Sequence, residues 1–411
     1  MFLSLLKFEF RYLSRQLSWW LGLVMLTAFG FFLSGKVVAS GNVLALSPHN
    51  LTYAMTFVSQ IAIFTTTLIT ANSALRDTQY DFIAFVKTKP VNNIKLMLSR
   101  FVSLYVMSLV IVLSAVTAML LPVLLTDYDP EIYGYFDVSY ILWPIAVVVL
   151  PNLLFTASLL FASACVFNTT IMTFVSGISI YVFYLLSAAL LDSPMFTGSD
   201  PLARGEINYA SLFDPFAVSA FLEQSQYWTT IEKNTLLVKL TDNFLYNRLI
   251  WLMASLLLLT GLGFQPFSKL KGKVKGYLKR KNEKNATCLP IPPATKTENT
   301  EQSIDGGYQP QTPTPNLWVA FKAFVMLELR MTLRGTSFIL LFVLIALLTL
   351  AQVINGMENN FFVGVQHAYT SSLLPYMTKP LEVIGLFVVV FFSCEMIWRA
   401  KDIKFDGVVG V

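Results

Sequence analysis

Side chains suited to covalent or metal chemistry are sparse in this chain. The two histidines, His49 and His367, lie in no H-E-x-x-H helix and beside no cluster of cysteines or carboxylates, so no zinc site is supported and each reads as an interfacial side chain. Cys165 and Cys394 fall inside apolar runs and Cys288 in a polar stretch, which leaves no extracellular pair to form a disulfide. No G-x-x-x-x-G-K-[ST] occurs, so nucleotide phosphates have no P-loop and ATP hydrolysis would fall to another protein. The sequence assigns no catalytic residue, no cofactor and no metal ligand. What remains is the chemistry of recognition, by ion pairing and by burial of aromatic anchors.

Those features concentrate in Arg76 to Arg100, RDTQYDFIAFVKTKPVNNIKLMLSR, wedged between the apolar runs Leu51 to Leu75 and Phe101 to Leu125. It carries five basic and two acidic residues with Phe82, Ile83, Phe85 and Val86 between them. Arg, Lys or Asp at a bilayer centre costs about 3 kcal/mol each on insertion scales, so the segment belongs at a membrane face. It reads as an amphipathic helix that a partner protein grips through Phe82, Phe85 and Val86, with Arg76 and Asp77 at its start and Pro90 ending it. The competing reading is a solvated inner loop whose apolar side chains lie on lipid.

The elements that must position this segment follow from composition. With 55% hydrophobic and only 13% charged residues, and repeated apolar runs of about twenty residues that can cross ~30 Å of hydrocarbon, the chain reads as an all-α integral membrane protein. The runs are apolar on all sides, which only helices tolerate in lipid. Eight spans are expected: Trp19 to Gly35, Leu51 to Leu75, Phe101 to Leu125, Tyr140 to Phe167, Thr169 to Leu191, Leu249 to Phe267, Ser337 to Val353 and Pro380 to Trp398. The fourth and fifth are joined by little more than Asn168, a tight hairpin. Thr169, Thr173 and Gly177 form a small-residue stripe for close helix packing. Before the first span, Lys7, Arg11 and Arg15 at spacing four among apolar residues make an amphipathic helix lying on the membrane.

Assigned to alternate sides, 23 of the 29 Lys and Arg fall with the two termini, Arg76 to Arg100 and the linker region up to the seventh span, 268–336. The positive-inside rule makes that side cytoplasmic. The outer loop 192–248 is too aromatic for a solvated coil and should fold onto the membrane face. Residues 268–316 join the basic run LKGKVKGYLKRKNEK to a Pro-rich tract that cannot bury a core, so they read as a flexible linker near anionic lipid, not a nucleic-acid site.

After that linker the chain repeats its start. Glu9, Arg11, Arg15 and Ser18 are answered by Glu328, Arg330, Arg334 and Ser337, and Arg76 with Phe82 by Arg399 with Phe405. The expected organisation is therefore a complete six-helix half over 1–267, the linker, and over 317–411 an incomplete second half of two helices, with the second charged element cut short at Val411.

These residues resemble the permeases of type-2 ATP-binding-cassette (ABC) exporters. The N-terminal amphipathic helix, the charged element between spans two and three, and a folded outer segment before span six all fit. More specific is Asp214 to Leu252, DPFAVSAFLEQSQYWTTIEKNTLLVKLTDNFLYNRLIWL, which is similar to the segment before span six in bacterial proteins that join such permease halves to a zinc aminopeptidase domain. The matching positions include Asp214, Pro215, Phe216, Tyr227, Trp228, Glu232, Asn234, Asn247 and Arg248. Ile83 and Ala84 stand where the family has an acidic pair, and Gly407 follows Asp406. No further spans and no peptidase follow, so peptidase activity is not carried over. The resemblance implies a permease subunit of the bacterial inner membrane, exporting a substrate with a separate cytoplasmic ABC ATPase that docks on Arg76, Asp77, Phe82, Phe85, Val86, Pro90, Arg399 and Phe405. A second permease copy, or a protein supplying the missing spans, is a further expected partner. The alternative is a non-transporting anchor or assembly subunit left from a permease-peptidase fusion.

Overall fold

The computed structural model describes residues 2–34, 43–76, 92–125, 133–134, 137–191, 193, 209–263, 317–359, 378 and 385. Among them every regular element is helical. In chain order they are α1 (Phe2–Leu13), α2 (Leu17–Ser34), α3 (Pro48–Ala74), α4 (Asn93–Leu125), α5 (Ser139–Phe167), α6 (Thr170–Leu190), α7 (Tyr209–Phe213), α8 (Val218–Ser225), α9 (Thr230–Thr235), α10 (Asp242–Leu258), α11 (Leu317–Leu333) and α12 (Thr336–Asn359). Five helices are long and apolar enough to cross a membrane, and seven spans result if the bent pairs α1–α2 and α11–α12 each count as one. Spans one to seven of the sequence reading coincide with α2, α3, α4, α5, α6, α10 and α12. Apart from residue 385, the eighth, Pro380 to Trp398, lies outside the described residues, as do the linker 268–316 and the end of the chain.

Three boundaries differ from expectation by more than a turn; one is the end of α12, which runs to Asn359 and not Val353. α4 begins at Asn93, because Asn92 Oδ1 accepts the Ile94 amide at 2.9 Å and Leu96, Met97, Ser99 and Arg100 continue its covered face. The last two turns of the charged segment are thus the start of the third span. α10 begins at Asp242, so Asn247 and Arg248 belong to the sixth span and not to the outer loop.

Hydrophobic burial gives no drive for helix association within lipid, so close approach has to come from small residues and polar contacts. Both are present. Gly30 of α2 lies against the Ala115 carbonyl of α4, where a Cβ would overlap that oxygen, and Thr27 and Ser114 share a 2.8 Å hydrogen bond across the same pair. Gly177 of α6 faces Thr67 of α3 as tightly, so the stripe through Thr173 and Gly177 serves packing. Hydroxyls along α3 donate to carbonyls of their own helix, as Thr70 does to Thr66 at 2.7 Å, and so enter the bundle without needing water. Asn168 takes the left-handed conformation (φ 55°) that closes α5 and lets α6 start two residues later. In α5, Pro144 and Pro151 flank a π-helical turn, Ile145–Val149. α12 packs on α6 through Leu341 and Leu348 against Val175, Ile178 and Val182, which joins α12 to the bundle of the earlier helices.

Candidate functional site

The bundle carries a charged node at one end and a polar cap at the other. α3 connects them: Tyr53 near its start meets Phe221 of the cap, and the charged node lies just past its last turn. At 1.5 Å per residue its 27 residues span about 40 Å.

The charged node centres on Glu9 of α1, whose side chain is 1% exposed. Arg76, just past α3, grips it at two points, with Nη2 donating to Oε1 at 2.8 Å and Nη1 to Oε2 at 3.1 Å. Arg100 of α4, also 1% exposed, donates from Nε to Oε1 at 3.4 Å. The Arg76 guanidinium lies over the Tyr12 ring at 4.3 Å and near Phe8 at 5.4 Å, so α1 covers the cation with aromatic faces. Above this node, Asn72 donates to Ser18 Oγ at 2.8 Å, tying α3 to the start of α2. One carboxylate on α1 therefore holds both Arg76, just before segment 77–91, and Arg100, two turns into α4 after it. Planar two-point pairing is what a guanidinium offers and an ammonium does not, which accounts for arginine at these positions.

On the exposed face of α1 stand Lys7 and Arg11, opposite Glu9, and Arg15 is exposed in the turn that follows the helix. The helix thus presents cations outward and its one carboxylate inward. Trp20 Nε1 donates to the Ser14 carbonyl at 3.0 Å and steadies the 69° bend between α1 and α2.

The cap is built by residues 209–241 and the loop 43–47. Phe216, Ala217, Val218 and Phe221 are fully buried, and each aromatic so covered contributes about 2–3 kcal/mol relative to leaving it exposed. His49 packs 5.0 Å from Phe221 and 6.5 Å from Trp228. Asn234 Oδ1 accepts the Leu44 amide at 2.9 Å, Asn50 Nδ2 donates to the Leu44 carbonyl, and Trp143 Nε1 donates to the Val238 carbonyl at 2.6 Å. Glu232 completes a capping box with Thr229 that starts α9. Tyr227 is exposed, and Pro215 forms the turn after Asp214.

Beneath the cap runs a polar network. Asp214 Oδ1 accepts the Phe216 amide at 2.8 Å and Oδ2 the Ser219 amide at 2.7 Å, which shapes the turn and the start of α8, where Ala217 takes φ 56°. Burial pushes the Asp214 carboxyl up from its ordinary range, while the amide donors and Arg248 pull it back only in part. Asn247 Nδ2 donates to the Ser211 and Asp214 carbonyls, and Arg248 donates to Asn247 Oδ1 and, from Nη1, to Asn152 Oδ1 at 2.7 Å. Asn152 in turn donates to Ser59 Oγ at 2.8 Å and the Phe216 carbonyl at 3.0 Å. This chain links α10, α5, α3 and the cap turn, with its atoms all donor-to-acceptor matched.

Of the residues named from sequence, Arg76 sits in the charged node, and Asp214, Phe216, Asn247 and Arg248 converge beneath the cap. Trp228, Glu232 and Asn234 shape the cap itself. Asp77, Phe82, Phe85, Val86, Pro90, Arg399 and Phe405 lie outside the described residues. Arg248, Asn247, Asn152 and Ser59 form a polar convergence that the sequence reading does not name. Asn152, a lone amide within an apolar run, was the one available signal. Glu9 was noted as a repeat landmark and Arg100 only as the end of the charged stretch, neither as a partner of Arg76. Among the described residues no three His, Cys, Asp or Glu side chains come together as a metal site would require. Comparison with family models, with curated proteins and with solved structures finds no match.

Proposed function

We propose that this chain is a membrane-spanning permease subunit of an ABC exporter, multi-pass in a bacterial inner membrane with both termini cytoplasmic, driven by a separate ATPase. The observation that carries the reading is the grip of Glu9 on Arg76 and Arg100. A partner pressing on segment 77–91 would act on Arg76 at its start and, through the first two turns of α4, on Arg100, and both arginines are held by one carboxylate on the interfacial helix α1. Push and rotation would then reach α2, α3 and α4 together, which suits a bundle that switches between two packings. The equal bends of α1–α2 and α11–α12, 69° and 67°, support two permease halves related by duplication. The cap, seated on α3, α5 and α10 through Arg248 and Asn152, supports a closed outer end.

The test is Phe85→Asp in the tagged full chain, purified from membranes. The P-loop ATPase is expected to co-purify with the unaltered chain and to be lost from the variant, while membrane insertion is unchanged. Co-purification that survives the substitution contradicts docking at this segment. A chain that inserts but never recovers an ATPase favours the anchor role.

A further inference from the structure

α1 meets α2 at 69°, so with α2 crossing the membrane α1 lies close to the membrane plane. Its two sides differ in kind. Glu9 and Leu13 are buried toward the bundle, where Glu9 takes the guanidinium groups of Arg76 and Arg100. The outward side carries Lys7 and Arg11, about 6 Å apart along the helix axis, and Arg15 continues the series in the turn that follows. All three are exposed, and among the described residues none of them forms an ion pair. Beside the cations stand Leu3, 76% exposed, and Phe8, 57% exposed. Water solvates the cations but leaves Leu3 and Phe8 uncovered, whereas the boundary between headgroups and acyl chains accommodates both.

We propose that the outward face of α1 binds the phosphate headgroups of anionic phospholipids, and that this binding holds α1 against the bundle and keeps Glu9 on its two arginines. Charge selects the lipid. A zwitterionic headgroup brings its own cation to the phosphate, whereas a headgroup of net negative charge leaves its oxygens to Lys7, Arg11 and Arg15. Each cation near an anionic surface strengthens attachment about fivefold, so three together give on the order of a hundredfold. Glu9 is the single acidic residue of α1 and faces inward, so nothing on the outward face opposes the headgroups. α11 repeats the build: it leaves α12 at 67°, Lys322, Arg330 and Arg334 are exposed, and Trp318 and Phe321 stand open beside them. The inference rests on the membrane placement of α2 and not on export or an ATPase, and its test needs no partner protein.

The experiment uses the purified full chain in nanodiscs that contain phosphatidylcholine and phosphatidylglycerol, one of the two carrying a photoactivatable group at its headgroup. Adducts are mapped by peptide mass. The phosphatidylglycerol probe is expected to label residues 2–16 at least tenfold more than the phosphatidylcholine probe. That preference is expected to be lost in the triple variant Lys7→Gln, Arg11→Gln, Arg15→Gln and kept in Lys7→Arg, Arg11→Lys, Arg15→Lys. Should the triple variant fail to fold, Lys7→Gln and Arg11→Gln singly are each expected to reduce the labelling about fivefold. Equal labelling by the two probes, or a preference untouched by the glutamines, overturns the proposal. Labelling of α1 by neither probe also overturns it and assigns the face to an acidic protein. The melting midpoint reads the second half of the claim: phosphatidylglycerol is expected to raise it in the unaltered chain and not in the triple glutamine variant, and an equal rise in both contradicts the hold on Glu9.

Discussion

Glu9 and Arg76, 67 residues apart, form a two-point ion pair with both N–O distances at or below 3.1 Å, and the same carboxylate takes Arg100 from a third helix. The relationship converts three helix ends into one body.

Glu9→Gln keeps the shape of the node and removes its anion, leaving two covered guanidinium groups against a neutral amide. Breaking a buried pair from one side costs about 3–5 kcal/mol. Thermal unfolding of the purified chain in detergent should shift down by a corresponding margin. Adding Arg100→Met should recover part of the loss, since one covered cation leaves with the anion. An unchanged midpoint in Glu9→Gln would mean the node contributes nothing to stability.

The glycine contacts separate two kinds of obstacle. A methyl at Gly177 meets the Thr67 side chain, whereas a methyl at Gly30 meets the Ala115 backbone carbonyl. Gly177→Ala should cost about 1–3 kcal/mol and be rescued by Thr67→Ala. Gly30→Ala should cost as much, and no side-chain truncation on α4 should rescue it. Melting midpoints of the two single variants and of Gly177→Ala, Thr67→Ala decide this.

At the cap, burial raises the Asp214 carboxyl above its unfolded value near 3.8. The folded state therefore binds this proton more tightly than the unfolded state. Its contribution to stability is complete below pH 3.8 and is lost as pH rises through the folded value. Asp214→Asn should remove that pH dependence from cap stability, followed by proteolysis within 209–241, and an identical pH profile in both proteins would contradict the assignment.

Much of this arrangement was legible because lipid imposes simple rules. Uninterrupted apolar runs located seven helices, missing only the starts of α4 and α10 and the end of α12 by more than a turn, and Asn168 marked a hairpin whose left-handed turn it then made. Arg76 and Glu9 stood out as landmarks of a repeat. Their pairing was not legible, because no sequence spacing links the end of one helix to the side of another. Arg100 was read as a membrane-face cation since a lone arginine beside an apolar run has that default. Glu9, across a helix contact, pairs with it where it is covered. The same holds for Arg248, whose partner Asn152 lies 96 residues earlier on α5. Charge and hydropathy report where a residue sits in depth, while partner choice depends on which helices are neighbours.

The central claim is that an ATPase seats between Arg76 and Arg100. A photoreactive amino acid at position 85 of the full chain, irradiated in living cells, tests it most directly. The account predicts a covalent adduct whose second component is a P-loop ATPase and whose yield changes when ATP is depleted. Adducts confined to lipid or to the chain itself would contradict it.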